Sequence, residues 1–161
     1  MSSKTLLAAV LLAVAPLATH AADTADFGVQ LVVQNACNIS AGGTASDLDF
    51  LSVTGNIAAD IDASTNLTVN CNNGALYTIG LDDGGNFSAG RRMTNGTQFV
   101  DYVLFRDGSR TQAWGALGSG NEYSGTGSNA DQLVPVYGRV PSGQSVGAGT
   151  YNDTVTATIA Y

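Results

Sequence analysis

Downstream of an apolar leader, the apolar residues of this chain recur at every second position, and no long segment places them at the spacing of a helix face. That periodicity confines the chain to strands. The clearest case is Phe27-Gly28-Val29-Gln30-Leu31-Val32-Val33-Gln34. A strand turns successive side chains to opposite faces, so Phe27, Val29, Leu31 and Val33 form one apolar row. The segment stands outside the span bracketed by Cys37 and Cys71. It therefore poses a question of ownership: whether this strand completes its own domain or a neighbour's.

Residues 1–21 read as a targeting segment. Lys4 gives the positive start, residues 6–17 the apolar stretch, and Thr19-His20-Ala21 a small residue at the cleavage position. The stretch is too short to span a bilayer, and no other long apolar run follows, so an exported, soluble chain without membrane insertion is expected. Lys4 and His20, the only lysine and the only histidine, leave with it. Arg91, Arg92, Arg106, Arg110 and Arg139 then face all 13 acidic residues, and the net charge, −7 for the full chain, becomes −8 without Lys4. Lys and Arg contacts to phosphate dominate nucleic-acid affinity, so nucleic acid is not an expected partner.

Two cysteines in an exported chain favour a Cys37–Cys71 disulfide over two buried thiols. It would tie two early strands together and stabilise by roughly 3–4 kcal/mol in the chain-entropy model. Further strands are predicted over residues 47–53, 66–71, 75–81, 99–106, 133–140 and 151–161. Asn72-Asn73-Gly74 and Asp82-Asp83-Gly84-Gly85-Asn86 are the clearest turns. Residues 115–129, rich in Gly and Ser, read as a long surface loop anchored by Trp114 and Tyr123. Short strands between turn signals imply an all-β sandwich or barrel. In the last strand Tyr151, Val155, Ala157, Ile159 and Tyr161 share one face, which Asp153 interrupts. No strand of the chain follows Tyr161, so a missing strand would leave its gap beside this segment.

Catalytic readings lose most of their means with the leader. Without His or Lys there is no Ser-His-Asp arrangement, Schiff base or Ser-Lys dyad. Two cysteines without histidine do not make a zinc site, and no cofactor or metal is expected. The paired carboxylates Asp47/Asp49 and Asp60/Asp62 would suit a glycosidase, but such pairs are commonly solvated strand faces. Residues 82–86 offer oxygens to calcium, yet lack the spaced acids of an EF-hand, and a hairpin turn explains them. Arg91-Arg92 reads as pairing with surplus acids. Tyr77, Tyr102 and Tyr137 lie in strand-like runs, which favours packing over sugar stacking. Asn38, Asn66, Asn86, Asn95 and Asn152 head glycosylation-type triplets, frequent by chance in so Asn- and Thr-rich a chain.

Several motifs then converge in order and spacing: Cys37, Leu48-Asp49-Phe50, Cys71, Tyr102-Val103-Leu104-Phe105-Arg106-Asp107, Trp114-Gly115, Tyr137-Gly138-Arg139-Val140-Pro141-Ser142-Gly143-Gln144 and Gly149-Thr150-Tyr151-Asn152-Asp153-Thr154-Val155. Together they resemble the spore coat protein U domain family, which includes subunits of archaic chaperone–usher pili. Leu51 departs from the pattern, where the family often has Gly.

The resemblance implies an incomplete immunoglobulin-like β-sandwich, residues 37–161, completed by a donor strand from another subunit. Residues 22–36 would be the donor, with Phe27, Val29, Leu31 and Val33 in the neighbour's groove. Val155, Ala157, Ile159 and Tyr161 would form the acceptor-groove edge and chaperone contact. Partners would be identical or related subunits, a periplasmic chaperone and an outer-membrane usher, and the product a surface pilus serving adhesion and biofilm formation. Burying the four donor side chains would contribute roughly 6–12 kcal/mol, against about 1–2 kcal/mol per residue for ordering the segment. The alternatives are a coat or matrix protein of the same fold, a tip adhesin, for which a single-domain length leaves little room, and a hydrolase using acids alone.

Overall fold

A computed structural model describes residues 22–41, 47–54 and 56–161; the expected targeting segment, 1–21, lies outside the described residues. The chain divides into two units, Met1–Val32 and Val33–Tyr161. In the first, residues 22–32 belong to no strand, and Phe27, Val29 and Leu31 are exposed to 85–86%.

The second unit is built from β1 (Cys37–Ala41), β2 (Ile61–Cys71), β3 (Leu76–Leu81), β4 (Arg91–Thr94), β5 (Phe99–Phe105), β6 (Tyr123–Thr126), β7 (Gln132–Val140) and β8 (Ala157–Ala160). No described residue is helical. One sheet runs β1-β2-β7-β5-β4 and the other β6-β3-β8, with every pairing antiparallel. This is an all-β sandwich, as the alternation implies, and it is consistent with the immunoglobulin-like form that the resemblance implies. The longest ladder joins β2 to β7, from Ile61 opposite Val140 to Val69 opposite Gln132.

Alternation decides the core. Val69 and Cys71 from β2, Tyr77, Ile79 and Leu81 from β3, Val100, Tyr102 and Leu104 from β5, and Val134, Val136 and Val140 from β7 are all buried. Trp114 is the largest fully buried side chain. Its indole N–H donates to the Ile79 carbonyl at 2.8 Å, and its ring lies 5.6 Å from that of Tyr123. The two anchors expected for the Gly/Ser-rich stretch thus meet at the core. Cys37 and Cys71 are bonded and stand directly opposite each other in the β1–β2 register, so the disulfide staples β1 to β2.

The structure departs from the sequence expectation in five places. The strand expected over residues 151–161 is realised only as Ala157–Ala160, with an isolated bridge from Asn152 to Thr94 before it. Residues 47–53 form no strand; Leu48 and Phe50 instead pack half-buried on the core above Gly138, where a Cβ would stand 2.8 Å from both side chains. Leu51 then takes a left-handed φ of 61°, and its N–H donates to Asp49 Oδ1 at 2.7 Å. This is a conformation that glycine adopts without strain. The Gly/Ser-rich stretch contains β6, which pairs with β3 because Gly125 leaves room for the Tyr77 ring. Strands β1 and β4 are short, with few large apolar residues, and neither range was among the predicted strands. The opening row, residues 27–34, sits in no strand; the backbone of an unpaired segment is solvated by water instead of a ladder.

Candidate strand-acceptor groove

The last segment of the chain changes character along its length. Its start is tied to both sheets. Asn152 exchanges two backbone hydrogen bonds with Thr94 of β4, at 2.9 and 3.0 Å, while Gly85 N–H donates to the Thr154 carbonyl and Asp82 N–H to that of Thr156. From Ala157 onward the strand pairs only with β3: Ala157 lies opposite Leu81 and Ile159 opposite Ile79. Among the described residues no strand pairs with its second edge. At the end of the larger sheet β1 likewise has a partner on one side only, β2, and β1 lies beside β8.

Two unfilled edges therefore flank one line of the sandwich. The side chains along it are consistent with a missing cover. Ile39 of β1, with Val155, Ala157 and Ile159 of the last strand, points at the core but is only half-buried, whereas Ile79 and Leu81 beside them are buried. Tyr161, the fourth residue expected at this edge, lies just past β8 and is 60% exposed. An edge of free N–H and C=O groups next to half-covered apolar side chains is a template for an added strand: the backbone supplies a ladder and the row supplies pockets.

A polar clamp closes the line at Asp153. Tyr102 O–H donates to Asp153 Oδ2 at 2.6 Å and Asn86 Nδ2 to Asp153 Oδ1 at 2.9 Å. Burial, and then this bond to Asp153, push the Tyr102 hydroxyl far above its ordinary pKa, so it stays a donor. Gly84 has a φ of 79°, and a Cβ there would collide with the Asp153 carboxylate. Beside it, the buried guanidinium of Arg91 donates to the carbonyls of Leu81, Asp82 and Trp114 at 2.7–2.9 Å. Burial lowers its pKa, with Tyr102 and nearby acids opposing that shift. Burial also acts to raise the Asp82 carboxyl, but backbone N–H bonds from Thr156 and Gly84 outweigh it and hold the pKa below the ordinary value.

Other residues singled out in the sequence find structural partners. Asp62 accepts two bonds from Arg139, at 2.7 and 2.8 Å, and lies 3.3 Å from Arg110; Asp60 lies 3.3 Å from Arg139. The bond from Arg139 holds the Asp62 carboxyl below its usual range. That acid pair is engaged by arginines on a sheet face. Asp82 is bonded to backbone N–H groups, and among the described residues no group of His, Cys, Asp or Glu is arranged to hold a metal ion. The expectation that Arg91 and Arg92 pair with acids is corrected. Arg91 serves carbonyls, and Arg92 donates to the Asn86 carbonyl and stacks 4.1 Å over the Phe99 ring. Carbonyls left over where strands end need donors, and a guanidinium carries five.

Sequence reasoning overlooked the β1 wall, where Ile39 was the available signal, and the clamp, whose signal was the acid interrupting the row at Asp153.

Comparison with known proteins agrees with this architecture. The spore coat protein U domain family matches over residues 23–158. "Protein U" of Myxococcus xanthus is 36% identical over an alignment covering 96% of this chain and 93% of that protein. Among solved structures, a chain of the CsuC–CsuE chaperone–tip adhesion subunit pre-assembly complex, from archaic chaperone–usher Csu pili of Acinetobacter baumannii, superposes with a TM-score of 0.54 at 21% identity. The match covers 80% of this chain and 40% of the solved one, and it speaks to the fold.

Proposed function

The chain belongs to the spore coat protein U domain family, and we propose that it is a structural subunit, not an enzyme, of a surface fibre assembled by strand donation. In this reading, Phe27, Val29, Leu31 and Val33 of one copy occupy the line between β1 and β8 of the next. The observation that carries the reading is the pairing of two unsatisfied features in one chain: a half-covered sheet edge along Val155, Ala157 and Ile159, and an exposed apolar row of matching alternation. Each feature alone is an aggregation hazard; together they are complementary. Donor and acceptor are different surfaces, so the contact is head-to-tail and propagates into a filament.

An open edge in transit calls for a temporary cover. A chaperone, as in the complex with the similar fold, is the partner that fits; in this reading it acts in the periplasm, and an outer-membrane usher is the place of exchange. Export through the periplasm, display at the cell surface, and service in adhesion and biofilm formation complete the proposal. Leu31→Asp places a charge in the centre of the donated row. Fibres are expected to vanish on electron micrographs while the chaperone-bound subunit is recovered in normal amount; an undiminished fibre yield would contradict the proposal. The name of the family and of the Myxococcus relative favours one second reading, a coat or matrix protein polymerised by the same edge. Micrographs of the cell surface, showing either thin filaments or a continuous layer, separate the two.

A further inference from the structure

The side chains that flank the open edge are informative about register, and the following rests on the strand-donation reading above. We propose that the donated segment pairs antiparallel with the last strand in a single register, setting Phe27 opposite Tyr161, Val29 opposite Ile159, Leu31 opposite Ala157 and Val33 opposite Val155, with Asp153 as the stop. Antiparallel pairing is the rule for every neighbouring strand in both sheets, and it is slightly the more stable per residue.

Size then selects the alignment. Ala157 is the smallest side chain of the inward row, between Val155 and Ile159, and Leu31 is the larger aliphatic residue between two valines. This register sets the bulky Leu31 against the small Ala157, places valine against the branched residues, and pairs the two aromatics, which is a favourable cross-strand combination. Sliding the donor by two residues one way sets Val29 against Ala157 and forces Val33 onto the Asp153 carboxylate. That carboxylate is held in place by Tyr102 and Asn86 and lies against Gly84. Sliding it the other way lays Asn35 on Val155 and carries Phe27 beyond Tyr161. In the proposed register it is Asn35 that meets Asp153, a side-chain amide facing a carboxylate with lone pairs to spare. Asp153 and Ala157 are thus the residues that decide which donor fits, and how far it enters.

Cysteine pairs in the full-length assembling subunit test this. A slip to the next inward position moves a residue by about 7 Å, beyond the reach of a disulfide. Fibres of the Leu31→Cys/Ala157→Cys chain, oxidised mildly and run without reductant, are expected to give a detergent-resistant ladder, at least tenfold stronger than from Leu31→Cys/Val155→Cys or Leu31→Cys/Ile159→Cys. Val29→Cys/Ile159→Cys and Val33→Cys/Val155→Cys report the same register, should the first pair assemble poorly. A ladder strongest from one of the two slipped pairs, or fibres with no ladder from any pair, overturns the register while leaving strand donation standing. Failure of the unmodified chain to form fibres at all overturns both.

Discussion

Ile79 and Ile159 stand opposite each other on neighbouring strands and face the same core, yet Ile79 is fully buried and Ile159 only half so. The same contrast separates the two halves of the last strand. The start is laced to β4 by Asn152, to Gly85 and Asp82 beyond the end of β3 by Thr154 and Thr156, and to Tyr102 and Asn86 by Asp153. The end has a ladder on one side only. One half is finished by its own chain, and in the proposed reading the other is completed by another copy. That reading assigns stability and assembly to different stretches of the last segment.

The largest expected effect sharpens that contrast directly. Ile79→Ala should destabilise the free subunit by about 2–5 kcal/mol, the usual cost of a cavity in a packed core. Ile159→Ala should cost less than half as much in the free subunit and rise to the same range within the fibre, where the added strand completes its burial. Denaturant unfolding of both variants, free and assembled, checks this, and equal costs in the free subunit would break the comparison. Next, Cys37→Ser with Cys71→Ser should lower stability by roughly 3–4 kcal/mol, since the bond closes a loop with a sequence separation of 34. The loss should appear in hydrogen exchange at β1, the open wall, before it appears at β4.

At the laced end, Tyr102→Phe removes one donor from a carboxylate and should cost about 1.5–3 kcal/mol by thermal unfolding, leaving Asp153 free to rotate. The smallest effect is pH-dependent. Asp82 has its folded pKa below its unfolded value, so its contribution is fully present above the ordinary carboxylate pKa of about 4 and is lost as pH falls through the lowered folded value. Asp82→Asn should flatten the acid limb of the stability curve and lower stability near neutrality, where the contribution of the carboxylate is fully present. An unchanged acid limb would remove Asp82 from the lacing.

Much of this was legible in the sequence, for a physical reason. A strand buried on one face must alternate, so the rows at Tyr77, Ile79 and Leu81, at Val100, Tyr102 and Leu104, and at Val155, Ala157 and Ile159 announce themselves. Elements that owe their shape to a neighbour do not. Strand β4 carries Arg91 into the core because three carbonyls await it there, a need that no local pattern expresses. Strand β6 exists because Gly125 admits the ring of Tyr77. Residues 47–53 alternate as a strand would, but Leu48 and Phe50 cap the core near β7, and the left-handed turn at Leu51 ends the run. At the site, the Val155–Ile159 row was readable. The β1 wall was not, because the strand Cys37-Asn38-Ile39-Ser40-Ala41 carries only one branched aliphatic residue.

The central claim is that the second edge of β8 is filled by residues 27–33 of another copy. Cryo-electron microscopy of fibres formed by the purified chain tests it most directly. The account predicts continuous strand density between β1 and β8, traceable through residues 34–36 into β1 of the adjacent subunit, with the side chain of Leu31 beside Ala157. Density showing that edge empty, or filled by a segment of the same copy, would contradict it.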